Sequence, residues 1–231
     1  MELVWKKYYL DLFFIPLSLF TAAVYHVWLW QKVRSHPLQT NIGIHNAGQR
    51  RWVLSMMKDE RNGILAVQSM RNILMGLTLM ATTSILLSSA LAAVLSSSYS
   101  IKKPMKEAVM YGGRGDVMMG VKYVTVLVFF LLAFLFYCLS AKLINQVCFL
   151  INVRCDAGGA TSSYVCDLME KMSLLHLIGD RLVYTALPLL TWIFGPVMVF
   201  ACSVFVVLPL LYSVDVVYVP AKMSTVFGED I

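Results

Sequence analysis

Hydrophobic positions along the chain come in long unbroken runs separated by polar stretches. Four runs stand out: residues 8–31, 73–96, 123–153 and 182–212. Crossing about 30 Å of hydrocarbon takes about 20 helical residues, so each run is long enough. Lipid offers backbone groups no partners, so a spanning segment must be a helix or a strand of a closed barrel. No run shows the period of two that a barrel strand needs. The pattern therefore predicts an all-α integral membrane fold with four transmembrane helices, at about 8–31, 73–96, 123–141 and 186–212.

The third run exceeds what a bilayer needs. Its 31 residues would extend about 46 Å as a helix. It also turns polar at Lys142, Asn145 and Gln146, so the helix is expected to leave the bilayer near Ser140. The second span mirrors this on its N-terminal side, where "RRWVLSMMKDERNGILAVQSMRN" at 50–72 has no proline and fits a helix. The start of span two and the end of span three face the same side. Spans two and three therefore carry helical cytoplasmic extensions, about 50–72 and 142–153, that project together. Asn72, Asn145 and Gln146 are expected to pack within that projection, with Gly63 as its hinge. The connections at 33–49, 97–118 and 154–163 are turn-rich, and a short amphipathic helix follows over 164–181. All 231 residues form a single membrane domain, and four spans place both termini on one side.

Composition agrees. The chain is 59% hydrophobic and 14% charged, with mean hydropathy +0.72; a soluble domain carries about 25% charged residues. The first run is too long for a signal-peptide core and reads as a retained span. Under the four-span topology, eleven Lys and Arg fall on the side of the projection and eight on the other. The positive-inside rule makes the projection cytoplasmic. The five cysteines have neither C-x-x-C nor zinc spacing. Cys155 and Cys166 flank a Gly/Ser loop and could bridge only in an oxidising compartment.

The segments "RRWV", "LAVQSMRN", "LMATTSILL", "KKP", "KYVT", "INQV" and "WIFGPV" occur in this order between about Asn46 and Tyr212. In them the chain resembles an uncharacterised plant and bacterial membrane family, the domain of unknown function 599. The resemblance implies a four-span membrane protein and a shared role for Trp52, Val53, Gln68, Arg71, Asn72, Asn145 and Gln146. It lends no specific activity. Cys155 and Cys166 are not part of its pattern.

Candidate chemistry lies first along span two. Arg61, Gln68, Thr82 and Ser89 are separated by multiples of seven, as are Arg71 and Thr78, which places them near one helix face. Such a stripe could line a water path with arginines at its mouth. Packing is the other reading, since Gly76, Ser84, Ser88, Ala92 and Ser96 form a small-residue strip. Arg50, Arg51, Trp52 and Lys58 suit contact with anionic lipid or a protein partner. They also suit pairing with Asp59 and Glu60, or an ion-attracting vestibule. Asp11 and His26 are ionisable residues within span one; intramembrane ionisable groups are functional by default. They are about 22 Å apart along a helix, too far for one relay, and Asp11 could lie at the headgroups. In span four, Gly195 and Pro196 mark a hinge, a broken-helix ion site or a static kink.

No catalytic motif or nucleophile–base set is present, so the chain is not expected to be an enzyme, and no cofactor or metal is expected. The reading is a homo-oligomeric ion channel or small-solute transporter with a basic cytoplasmic vestibule. The alternative is a non-conducting scaffold or accessory subunit that binds a partner or anionic lipid through helix 50–72. Membrane lipids and further copies of the chain are the expected partners, with a protein partner open and nucleic acid excluded. The expected location is the plasma membrane.

Overall fold

A computed structural model describes residues 2–100, 116–152 and 160–217. Among the described residues, regular structure is helical apart from one isolated antiparallel bridge between Thr40 and Val216. The helices are α1 (Glu2–Ser35), α2 (Asn41–Lys58), α3 (Gly63–Ser100), α4 (Asp116–Leu150), α5 (Ala160–Leu190), α6 (Pro196–Cys202) and α7 (Leu208–Asp215). One π turn, Ser203–Val207, joins α6 to α7. Four segments are long and apolar enough to cross a membrane: Tyr9–Ser35, Gly63–Ser97, Met118–Leu150 and Pro196–Asp215. The all-α membrane reading holds.

Three elements differ from expectation. The turn-rich stretch 33–49 becomes helical from Asn41 onward. Thr40 caps α2, its hydroxyl accepting from the Gly43 N–H at 3.3 Å and donating to the Pro37 carbonyl at 2.8 Å. That satisfies an end donor that a helix otherwise leaves unpaired. Gly43 is required there, because a Cβ would lie 2.1 Å from the Pro37 carbonyl oxygen. The amphipathic helix expected at 164–181 is instead the middle of the 31-residue α5. The fourth apolar run, finally, is not one helix: it ends α5, breaks at 191–195 and resumes as α6. Residues preceding proline are driven out of the helical region, and proline suits a first helical turn. Gly195 is accordingly extended (φ 159°, ψ 156°) and Pro196 opens α6. The 101–115 and 153–159 connections, which include Arg114, Gly115 and Cys155, lie outside the described residues.

The chain divides into two compact units. The first combines Met1–Trp30, Ser84–Leu132 and Arg181–Val214. Its core is built on Ile15, Val126, Phe130, Ala186, Leu189, Trp192 and Val199. Here α1 and the α6–α7 segment run parallel. Asp11 contacts Trp192, Phe14 contacts Phe200 at 5.8 Å, and Trp28 stacks on Tyr212 at 6.0 Å. A single span over 186–212 would have run antiparallel to α1. Instead α5 brings the chain back to the Asp11 end before α6 begins.

The second unit combines Gln31–Thr83, Ala133–Asp180 and Asp215–Ile231. Val53 of α2, Ala66, Met70 and Leu77 of α3, Ile144 and Val147 of α4, and Val165, Met169 and Met172 of α5 are buried in it. Side chains tie α5 to its neighbours: Ser140 Oγ donates to the Met172 carbonyl at 3.0 Å and Ser173 Oγ to Gln49 Oε1 at 2.7 Å. The Val217 N–H donates to the Gln39 carbonyl at 3.2 Å, beside the buried Asp215. The chain thus leaves α7 next to the end of α1, not next to its beginning.

Candidate functional site: a buried charged cluster

Three residues distant in sequence converge in the first unit. Asp11 comes from the start of α1, Lys122 from the start of α4, and Trp192 from the 3₁₀ turn that ends α5. Trp192 Nε1 donates to Asp11 Oδ1 at 2.9 Å. Lys122 Nζ donates to the Trp192 carbonyl at 3.3 Å and lies 3.9 Å from Asp11 Oδ1. It also sits 5.5 Å from the centre of the Trp192 ring, within cation–π reach. Lys122 and Asp11 are each 3% exposed.

The broken helix explains why a cation rests here. Helix ends leave carbonyls without internal partners and carry partial negative charge. The 3₁₀ turn that follows α5 presents such a carbonyl, that of Trp192, Asp11 adds a full negative charge, and the indole holds the carboxylate in place. Lys122 occupies a cation site made of a carboxylate, a carbonyl and an aromatic face. Burying two charges costs several kcal/mol per ion unless geometry and hydrogen bonds compensate, and the Trp192 bonds supply that compensation.

The stripe on α3 behaves differently. Gln68, Arg71, Thr78, Thr82 and Ser89 are all exposed in the single chain. The hydroxyls turn back on their own helix: Thr78 donates to the Met75 carbonyl at 2.9 Å, Thr82 to Thr78 at 2.7 Å and Ser89 to Ile85 at 2.8 Å. Ala66, Met70, Leu77, Ser84 and Ser88 form the buried seam of this helix. At 100° per residue that seam lies more than about 100° around the helix from the Thr78–Thr82–Ser89 line. Arg61 is not on the stripe. It precedes α3, in the 3₁₀ turn Glu60–Asn62, where its N–H donates to Asp59 Oδ1 at 3.0 Å. Gln68 and Arg71 instead line an open groove of about 500 Å³ with Gly63, Ile64, Val67 and Asn152.

The other sequence candidates fall as follows. Arg50 and Lys58 are exposed on α2, while Arg51 and Trp52 are half-buried. Asn72, Asn145 and Gln146 are exposed, contrary to the expected packing. The buried positions on that part of α4 are the apolar Ile144 and Val147, and Gln146 reaches only the Tyr164 hydroxyl, at 3.4 Å. Gly63 is the first residue of α3, after the break from α2, and Gly195 and Pro196 form the break before α6.

A second polar group lies within the second unit. The Tyr137 hydroxyl donates to Asp180 Oδ1 at 2.7 Å, and His176 Nε2 is 3.4 Å from Asp180 Oδ2. Partial desolvation, followed by the facing His176, holds His45 below the usual histidine range. Burial pushes the Cys166 thiol up, and it donates to the Arg50 carbonyl at 3.9 Å.

Sequence reasoning missed Lys122 and Trp192. The available signal was a lysine inside the hydrophobic start of span three, facing an acidic residue equally close to the start of span one. A family model matches residues 13–219, from just past Asp11 to just past the Thr40–Val216 bridge. The chain belongs to the family described as a protein of unknown function, DUF599. No curated protein and no solved structure matches it. Lys122 and Trp192 lie inside the family-matched stretch and Asp11 lies two residues before it.

Proposed function

We propose that this multi-pass membrane protein moves a small solute or ion, and that Asp11, Lys122 and Trp192 form its exchange site. The observation that carries this reading is the buried Lys122 ammonium, held between the Asp11 carboxylate and a helix-end carbonyl at the 191–195 break. Charged residues within membrane helices mark substrate and ion pathways. Broken helices supply helix-end dipoles for such sites in transporters. Lys122 acts as the resident cation. A solute cation or proton reaching Asp11 would release it, and movement of the segment around Gly195 and Pro196 would open the site. This activity needs neither a cofactor nor catalytic chemistry. Assembly with further copies would use the exposed α3 face, with the Arg71 groove as its basic vestibule.

The test is flux. Purified protein in liposomes should accumulate or release labelled small cations and amines under an imposed gradient. Asp11→Asn with Lys122→Met should abolish that flux in a folded protein. Equal flux in wild type and double variant would contradict the reading. A non-conducting accessory role is the second reading, favoured by the exposure of Arg50 and Lys58 on one helix. It predicts binding to anionic vesicles that is lost on Arg50→Gln with Lys58→Gln, and no flux in any preparation.

A further inference from the structure

A partly enclosed cavity of about 20 Å³ lies within the first unit, between α1, α5 and the α6–α7 segment. Its polar lining comes from Ser18 and His26 of α1, Tyr184 and Thr185 of α5, and Ser203 at the π turn. Ser18 and Ser203 are 4% and 3% exposed. A space of this size holds one water-sized particle.

One lining hydroxyl is committed to accept. Thr185 gives its proton to the Arg181 carbonyl at 2.7 Å, so its remaining lone pairs are what it can offer a ligand. Pro188 also lines the cavity and lies inside α5. Having no N–H, it leaves the Tyr184 carbonyl without the helical donor it would normally have. The π turn fixes the third wall. Val199, Ser203, Val207 and Leu211 are buried at successive four-residue steps. In an unbroken α-helix those steps would drift by about 120°. The wider turn at Ser203–Val207 takes up part of that drift and keeps Ser203, Val207 and Leu211 against the cavity. No carboxylate lines it among the described residues. Hydroxyl and carbonyl oxygens around a one-particle space, with hydrophobic residues completing the wall, can replace the hydration shell of a monovalent cation.

We propose that this cavity binds one sodium-sized monovalent cation through neutral oxygens of Ser18, Thr185, Ser203 and the Tyr184 carbonyl. As the coupling-ion site of the transport activity, it rests on the reading given above; as a cation site, it stands on the cavity alone. The full-length protein in nanodiscs would be titrated with ²²Na⁺, with unlabelled Na⁺ and K⁺ as competitors, and unfolded thermally in sodium or choline chloride at equal ionic strength. Saturable ²²Na⁺ binding near one per chain is expected, with sodium raising the unfolding temperature. Ser203→Ala and Ser18→Ala should each weaken binding at least tenfold while unfolding near wild type in choline. Thr78→Val, on the exposed face of α3, should bind as wild type does. Absence of saturable binding in folded wild type would mean that the cavity holds water or nothing, and would overturn the proposal. So would undiminished binding in both serine variants. Sodium binding without solute flux would refute the transport reading and leave the cation site standing. Flux that ignores sodium would remove the coupling role.

Discussion

Thr78, Thr82 and Ser89 lie on one helix, face outward, and return their protons to carbonyls of that same helix. Asp11, Lys122 and Trp192 come from three separate segments, face inward, and satisfy one another. Both sets place polar groups in strongly apolar surroundings. A hydroxyl can be neutralised locally, because a carbonyl three or four residues back is always within reach. A charge has no such local remedy and must find its partner elsewhere in the fold. The first solution constrains nothing beyond its own helix, whereas the second fixes where three helices meet.

The cluster requires α5 to return the chain to the Asp11 end, and that geometry has an all-or-none consequence. Val217 is bonded to Gln39, just beyond the end of α1. Cysteines placed at Ser35 and Val217 should therefore react with an impermeant reagent from the same side of the membrane. One placed at Glu2 should react from the other. Labelling of positions 2 and 217 from one side would contradict the placement of Val217 beside the end of α1.

The next largest effect concerns the charges themselves. Removing one member of a buried ion pair strands the other and costs about 3–5 kcal/mol. Lys122→Ala and Asp11→Ala should each fall in that range in reversible unfolding, or fail to accumulate as folded protein. Costs below about 1 kcal/mol for both would mean that the charges reach water.

The helices were legible in the sequence because hydrophobic run length is a local property, and all four apolar segments followed from it. The break at 191–195 was visible as Gly195–Pro196, but not its consequence. Whether a kinked run continues in one direction or reverses depends on what packs beside it, and only the contacts of Trp192 with Asp11 and Lys122 decide that. The stripe on α3 was conspicuous for the opposite reason: its spacing is local. Spacing alone shows that residues share a face, not whether the face is buried. Asn145 and Gln146 failed on the same point, since the neighbouring Ile144 and Val147 took the inward positions. Asp11 was noticed without its partner because 111 residues separate it from Lys122.

A smaller effect is expected within the second unit. Tyr137→Phe removes a hydrogen bond to a carboxylate and should cost about 1.5–3 kcal/mol. Gel filtration and unfolding should show a folded but weakened protein; an unchanged midpoint would mean that water replaces the hydroxyl. The smallest effect should come from the α3 face. Thr78→Val, Thr82→Val and Ser89→Ala should each shift stability by no more than about 0.5 kcal/mol, as exposed substitutions usually do. These shifts apply to monomeric protein; a loss above about 1.5 kcal/mol there would contradict hydroxyls that bond only their own helix, whereas a loss confined to the oligomer would mark the assembly face.

The most direct test of the buried cluster is a double-substitution cycle with Asp11→Asn and Lys122→Met in reversible unfolding. Residues in one ion-pair network couple by about 0.5–3 kcal/mol. The geometry predicts a coupling toward the upper end, with the double variant more stable than the sum of the single losses implies. Additive losses, with coupling near zero, would contradict a direct Asp11–Lys122 interaction and with it the exchange site.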